Sequence, residues 1–184
     1  STGVRMSQLE AVPLFTQEVW RLEIDNIEQH LQYFLPYIET LDEHKKVRTD
    51  FFDNARYDLP SDLNETIINA CAEIVGRGGL YVRHYWLQDY KHENYHGLHT
   101  HGDSIMSGVY YLRYKGHGAP LIFQNPNTTQ WATSQGPYER FVEPKQGSLI
   151  LFNGWMPHRV DPLPDTMEER SVLAFNVVRD YNVQ

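Results

Sequence analysis

A chain of 184 residues with 41% hydrophobic and 22% charged side chains can bury one core, and it is too apolar to be disordered. Acidic residues outnumber basic ones by 24 to 16, and the formal charge of -8 argues against nucleic acid or an anionic membrane as the main partner. The single cysteine, Cys71, excludes an intrachain disulfide and points to a reducing, cytoplasmic compartment.

The N-terminus lacks the charged-then-apolar layout of a secretory signal, and residues 1–5 read as an addition ahead of a native start at Met6. No run of roughly 18 apolar residues is present, so no membrane-spanning helix is expected. Ile24, Ile27, His30, Leu31, Phe34 and Ile38 recur at helical spacing, with Asp25 placed to cap. A second helix is expected from the Leu59-Pro60-Ser61-Asp62 start, with Ser61 at the cap. Leu63, Ile67, Ala70, Cys71 and Ile74 share its apolar face, and Gly76, Gly78 and Gly79 end it. Cys71 on that face reads as core filler.

After Gly79 the chain turns to short segments rich in β-branched and aromatic residues, separated by turn clusters. Strands are expected near residues 80–89, 98–101, 105–114, 121–124, 148–152, 158–160 and 171–178. Helices followed by strands predict a mainly β fold with N-terminal α-helices packed on a sandwich or barrel. One domain spans the chain in this reading, with residues 1–79 as helical support and 80–184 as the β core.

The histidines concentrate between His92 and Asp103. In a strand, residues i and i+2 point to the same side, so His99 and His101 would aim two imidazoles at one point. His101 and Asp103 would do the same if the strand continued. Either pair suits Fe(II), Mn or Zn, and His158, at the start of a later strand, is the candidate for a third ligand. Twelve positions on, Arg170 opens an apolar strand in which Arg170, Val172, Ala174 and Asn176 share one face. Facing a barrel interior, that guanidinium would need an anion, and its fork matches a carboxylate bidentately.

A His-x-Asp pair, a distal histidine and a following arginine, in that order, resemble the 2-oxoglutarate/Fe(II) oxygenase superfamily. The segments Ser107-Gly108-Val109-Tyr110-Tyr111-Leu112 and Gly118-Ala-Pro-Leu-Ile-Phe-Gln-Asn-Pro126 sharpen the likeness. They are similar to a subgroup of small oxygenases common in phage and marine bacterial genomes, with a layout close to prolyl hydroxylases. The resemblance runs from about Leu80 to Val178 and implies a double-stranded β-helix (jelly roll, cupin-like). It further implies Fe(II), 2-oxoglutarate as cosubstrate, O2, and hydroxylation as the outcome. His101 and His158 would be ligands, Arg170 would bind the distal carboxylate, Tyr111 would assist with its hydroxyl, and Asn176 would line the pocket. The third ligand is left open between Asp103 and His99, the unused one orienting a ligand or its water.

Two other readings remain at this point. One is a cupin-like enzyme with His99, His101 and His158 that needs no 2-oxoglutarate; the other is a non-enzymatic jelly-roll binding protein. The substrate, a small molecule or a peptide, is not legible, although the many aromatics include candidates for a substrate-facing wall. A homodimer through the N-terminal helices is the default assembly. The long polar stretch 125–140 is either a lid or a plain surface excursion.

Overall fold

The computed structural model describes residues 16–44, 46–53 and 56–183. The expectations about a signal sequence and a native start at Met6 lie outside the described residues.

Strand β1 (Trp20–Glu23) leads into helix α1 (Ile27–Glu39), and strands β2 (Glu43–His44) and β3 (Val47–Thr49) precede helix α2 (Ser61–Val75). Strands β4 (Leu80–Tyr90), β5 (His96–His99), β6 (Met106–Gly116) and β7 (Leu121–Gln124) follow. After the short helix α3 (Thr128–Ala132) come β8 (Glu139–Val142), β9 (Ser148–Asn153), β10 (His158–Val160) and β11 (Met167–Arg179). A seven-stranded sheet runs in the order β1-β9-β6-β11-β4-β3-β2, and a four-stranded sheet in the order β5-β10-β7-β8. The described pairings are antiparallel. The two sheets face each other as a double-stranded β-helix.

Period-two alternation sorts the side chains of the large sheet into two cores. Leu87, Met106, Tyr110, Leu112, Leu149, Leu151, Leu173 and Phe175 face the helices, where they meet Phe34 and Ile38 of α1 and Leu63, Ile67 and Cys71 of α2. Tyr90, Val109, Tyr111, Ile150, Phe152 and Val172 face inward, toward Leu121 and Phe123 of the small sheet. Cys71 is fully buried, as core filler should be. Helix α2 ends where Gly76 takes a φ of 82°, a left-handed conformation that glycine adopts without a Cβ clash. His30 joins both helices to the sheet: its Nδ1 lies 2.9 Å from the Tyr110 hydroxyl and its Nε2 lies 2.8 Å from the Asp62 carboxylate.

The first third is less purely helical than its sequence pattern predicts. Strands β1, β2 and β3 contain four, two and three residues, and each includes a charged side chain. Segments that short carry no readable period. They become strands because β9 and β4 offer free edges to pair with. Of the two readings of stretch 125–140, the surface excursion describes it and the lid does not. It is an excursion between the paired strands β7 and β8, and none of its residues lines the two cavities of the site described below. It closes on itself, with the Asn125 amide donating to Gln130 Oε1 at 2.9 Å and Trp131 edge-on to Tyr138 at 4.9 Å.

A buried carboxylate locks the outer part of β4. Asp89, 1% exposed, accepts from Arg48 at 2.6 Å, Arg113 at 3.1 Å and the Ser171 hydroxyl at 2.7 Å. Arg48 also donates to the carbonyls of Glu39 and Leu41, fastening the end of α1 to the sheet. Removing one partner of such a network leaves buried charge uncompensated. Asp89→Asn is therefore expected to cost about 3 kcal/mol and to lower the melting temperature by roughly 6–12 °C, as thermal denaturation would show. An unchanged melting temperature would mean that the arginines find water instead.

Candidate metal centre and cosubstrate pocket

The pairing of β5 with β10 sets His158 opposite His99, and His101 follows directly after β5. One nitrogen from each of His99, His101 and His158 lies within 4.8 Å of the other two. Nε2 of His101 and Nε2 of His158 are 3.3 Å apart. His99 Nδ1 lies 2.7 Å from the Gly97 carbonyl and His158 Nδ1 lies 2.9 Å from that of Met156. A carbonyl can only accept, so both rings hold their proton on Nδ1 and present Nε2 as a free lone pair. Burial, reinforced by neighbouring His99, pushes His101 down to about 4 and His158 down to about 3. Burial also lowers His99, against a hydrogen bond to Gly97 that raises it. At neutral pH all three are uncharged, which is the form that binds metal. Three neutral imidazoles at this spacing fit a first-row divalent ion.

The backbone holds His101 outside any strand. His101 N–H donates to the Gly154 carbonyl at 2.7 Å, and Ser104 donates to the His101 carbonyl through its backbone at 3.0 Å and its hydroxyl at 2.9 Å. The Ser104 hydroxyl lies 3.0 Å from that of Ser107, which donates to Asn176 Oδ1 at 2.8 Å. Asn176 does line the outer cavity, and it also anchors the loop that presents His101. A Cβ on Gly154 would run into the carbonyl oxygens of Ser104 and His101. Gly154→Ala is expected to displace His101 and weaken metal binding by at least about tenfold, the size of effect that supporting residues have on metal sites. Metal titration of that variant checks this.

Asp103 is not brought to the cluster. It pairs with Arg83, and its side chain is 69% exposed. That register required the strand to continue to Asp103; β5 stops at His99, and the turn that follows carries Asp103 outward.

Arg170 lies deep on the same inner wall. The β4–β11 register sets Asn176 opposite His84, Ala174 opposite Trp86, Val172 opposite Gln88 and Arg170 opposite Tyr90. The Trp86 ring stacks at 5.9 Å from that of His101, so the histidine cluster sits at the Trp86 level and Arg170 two inward positions deeper. A narrow cleft joins them, lined by His99, His101, His158, Gln88 and Arg170. The guanidinium is 1% exposed, stands 4.3 Å from the Tyr90 ring and 5.3 Å from the Tyr111 ring, and donates from Nε to the Ala119 carbonyl at 3.0 Å. Among the described residues no carboxylate pairs with it, and neither its Nη1 nor the Tyr111 hydroxyl has a hydrogen-bond partner. Burial raises Tyr111 while the guanidinium beside it opposes that rise. A desolvated cation with a free donor and a neutral hydroxyl next to it fit a carboxylate entering from the cleft.

Two contributors, His96 and Gln88, did not stand out from the sequence, and a third, Trp86, was one of many aromatics from which a substrate-facing wall could be drawn. His96 stacks on His99 at 4.0 Å and 14°, and burial pushes it down to about 4. Gln88 lies 3.3 Å from His96 Nδ1 and accepts from the Tyr90 hydroxyl at 3.2 Å. Trp86, 3% exposed, lines both the cleft and a wider outer cavity of about 830 Å3. The period-two run His84, Trp86, Gln88, Tyr90 was the available signal, a polar and aromatic stripe on one face of a strand.

Solved structures share this fold. A 2OG-Fe(II) oxygenase family oxidoreductase from Burkholderia pseudomallei is 19% identical, covering 88% of this chain and 84% of its own, with a TM-score of 0.61. HygX from Streptomyces hygroscopicus, solved with nickel and 2-oxoglutarate, is 13% identical over 90% of this chain and 84% of its own, at a TM-score of 0.65. EctD from S. alaskensis, solved with 2-oxoglutarate and 5-hydroxyectoine, is 11% identical over 89% and 72%, at 0.67. No curated protein sequence matches the chain. Among the described residues no helix is long and apolar enough to cross a membrane. The family model described as "Putative 2OG-Fe(II) oxygenase" matches residues 84–176, just over half of the chain, from His84 at the mouth through the histidine cluster to Asn176. The chain belongs to this family of 2OG-Fe(II) oxygenases, whose cofactors are Fe(II), 2-oxoglutarate and O2.

Proposed function

We propose that the protein couples oxidative decarboxylation of 2-oxoglutarate to hydroxylation of a small-molecule or peptide substrate. His99, His101 and His158 hold Fe(II) through their Nε2 atoms, in place of a two-histidine, one-carboxylate set. Arg170 grips the distal carboxylate of 2-oxoglutarate, with the Tyr111 hydroxyl beside it. The observation that carries this reading is a buried guanidinium with no counter-anion among the described residues, at the floor of a cleft whose rim is a neutral histidine triad. A metal enzyme of the same fold that used no dicarboxylate would leave that cation buried and unpaired, at a cost of several kcal/mol on the order-of-magnitude scale for such groups.

Bound iron and 2-oxoglutarate supply the oxidising power: substrate C–H, 2-oxoglutarate and O2 become substrate C–OH, succinate and CO2. The chain contributes position and dryness. The Gly97 and Met156 carbonyls fix the ligand tautomers, Gly154 and Ser104 fix the His101 loop, and Phe152 and Val160 wall the cleft with apolar surface. Hydroxylation agrees with EctD, which was solved with 5-hydroxyectoine, whereas SnoN, another structure of this fold, is an epimerase. Cys71, buried and the only cysteine, supports a reducing cytoplasmic setting.

The test is turnover under 18O2 with Fe(II) and 2-oxoglutarate. Succinate carrying one 18O, lost in His158→Ala, is expected. Metal binding with no decarboxylation would point to cupin-like chemistry, and substrate oxidised without gain of labelled oxygen would exclude hydroxylation.

A further inference from the structure

The outer cavity of about 830 Å3 is large enough for a whole metabolite beyond the cosubstrate. Its chemistry is uneven. Phe51 stands edge-on to Trp86 at 4.9 Å, and His84 lies 4.9 Å from Trp86 and 5.0 Å from Phe51, which makes one continuous aromatic wall. Phe51, Phe52 and Tyr95 are 37%, 63% and 37% exposed, and all three line this cavity. Exposed aromatics gathered on one concave surface mark a binding site more than solubility would allow by chance.

Two polar features complete the picture. The Trp86 ring stacks on that of His101, and its buried indole N–H has no hydrogen-bond partner among the described residues. An indole can only donate, so it suits an acceptor oxygen on a ligand. At the rim, Lys46 and Arg83 are the basic lining residues and Asp103 the acidic one. Arg83 takes up Asp103, whereas Lys46 pairs with no carboxylate among the described residues and sits 5.8 Å from the Tyr95 ring. In a chain of formal charge -8 this mouth is locally not acidic. The amide of Gln88 is engaged by His96 and Tyr90, and the amide oxygen of Asn176 accepts from Ser107.

We propose that the outer cavity binds a substrate with a flat aromatic ring and a carboxylate, the ring against the Phe51–Trp86 wall and the carboxylate toward Lys46. The proposal rests on the reading of the histidine triad as the metal centre and Arg170 as the cosubstrate anchor. Trp86 then serves as a specificity residue, donating to an oxygen of the substrate beside the metal.

The experiment uses protein loaded with diamagnetic zinc and 2-oxoglutarate and follows the tryptophan indole N–H signals by NMR. The Trp86 signal is identified by its loss in Trp86→Phe. Three probes separate the features: 3-phenylpropionate, 3-phenylpropylamine and hexanoate. The expected result is a saturable shift of the Trp86 signal by 3-phenylpropionate, with affinity at least about tenfold above either other probe, and roughly fivefold weaker binding in Lys46→Glu. Equal or tighter binding of the amine or of hexanoate, or a Trp86 signal that 3-phenylpropionate leaves unmoved, would overturn the assignment. Zinc and 2-oxoglutarate loading is measured before any probe is added, so a failure of the cofactor reading is seen separately.

Discussion

Arg170→Ala is expected to abolish 2-oxoglutarate binding at millimolar concentration while leaving metal affinity within about threefold. The guanidinium is the sole fully buried cation at the floor of the cleft among the described residues, and it stands two inward positions below the histidine triad. Truncating one member of a buried, hydrogen-bonded charge pair costs about 2–5 kcal/mol, which is roughly 30- to 5000-fold in affinity. The fold should survive, because the native side chain makes one hydrogen bond, to Ala119, and otherwise stacks on Tyr90 and Tyr111. Arg170→Lys keeps the charge without the planar fork and should fall between the two. Calorimetric titration of 2-oxoglutarate into the metal-loaded variants measures this. Unchanged cosubstrate affinity in Arg170→Ala would remove the residue from the site.

The second large effect separates His99 from Asp103. Loss of any one imidazole from the triad should weaken metal binding by more than about a hundredfold, since even residues that only support a ligand are worth 10–100-fold. Asp103→Asn should keep metal affinity within about threefold, because that carboxylate is tied to Arg83 and faces solvent. His99→Ala should lose the metal, because one of its ring nitrogens is among the three that converge and its Nδ1 hydrogen-bonds Gly97, which leaves Nε2 as the lone pair for a metal. Metal titration of the two variants decides the matter. Retention in His99→Ala with loss in Asp103→Asn would restore the two-histidine, one-carboxylate set.

Much of this was readable from residue types and spacing. Seven of the eight strands between Leu80 and Arg179 follow from β-branched runs separated by glycine, proline and asparagine turns, β8 (Glu139–Val142) being the one the sequence did not mark, and the inward face of Arg170, Val172, Ala174 and Asn176 follows from alternation alone. The ligand register was not readable, because it depends on where β5 stops. His99 is in the strand and His101 is held beyond it by Gly154, a contact 53 positions away that local pattern cannot reveal. The same limit hid β1, β2 and β3, which are strands only because β9 and β4 present edges to them. Trp86 and Gln88 were visible as a stripe on β4, but which side of that strand faces the cleft is settled only by pairing with β11. Stretch 125–140 looked like a lid on length and polarity, yet its position at the β7–β8 end keeps it off the cavity.

The most direct measurement is anaerobic addition of Fe(II), then 2-oxoglutarate, to the metal-free protein, watched by visible absorption. A charge-transfer band that saturates at one equivalent of each, and is absent in both His158→Ala and Arg170→Ala, is the expected result. Metal binding without the band, or a band that persists in Arg170→Ala, would contradict it.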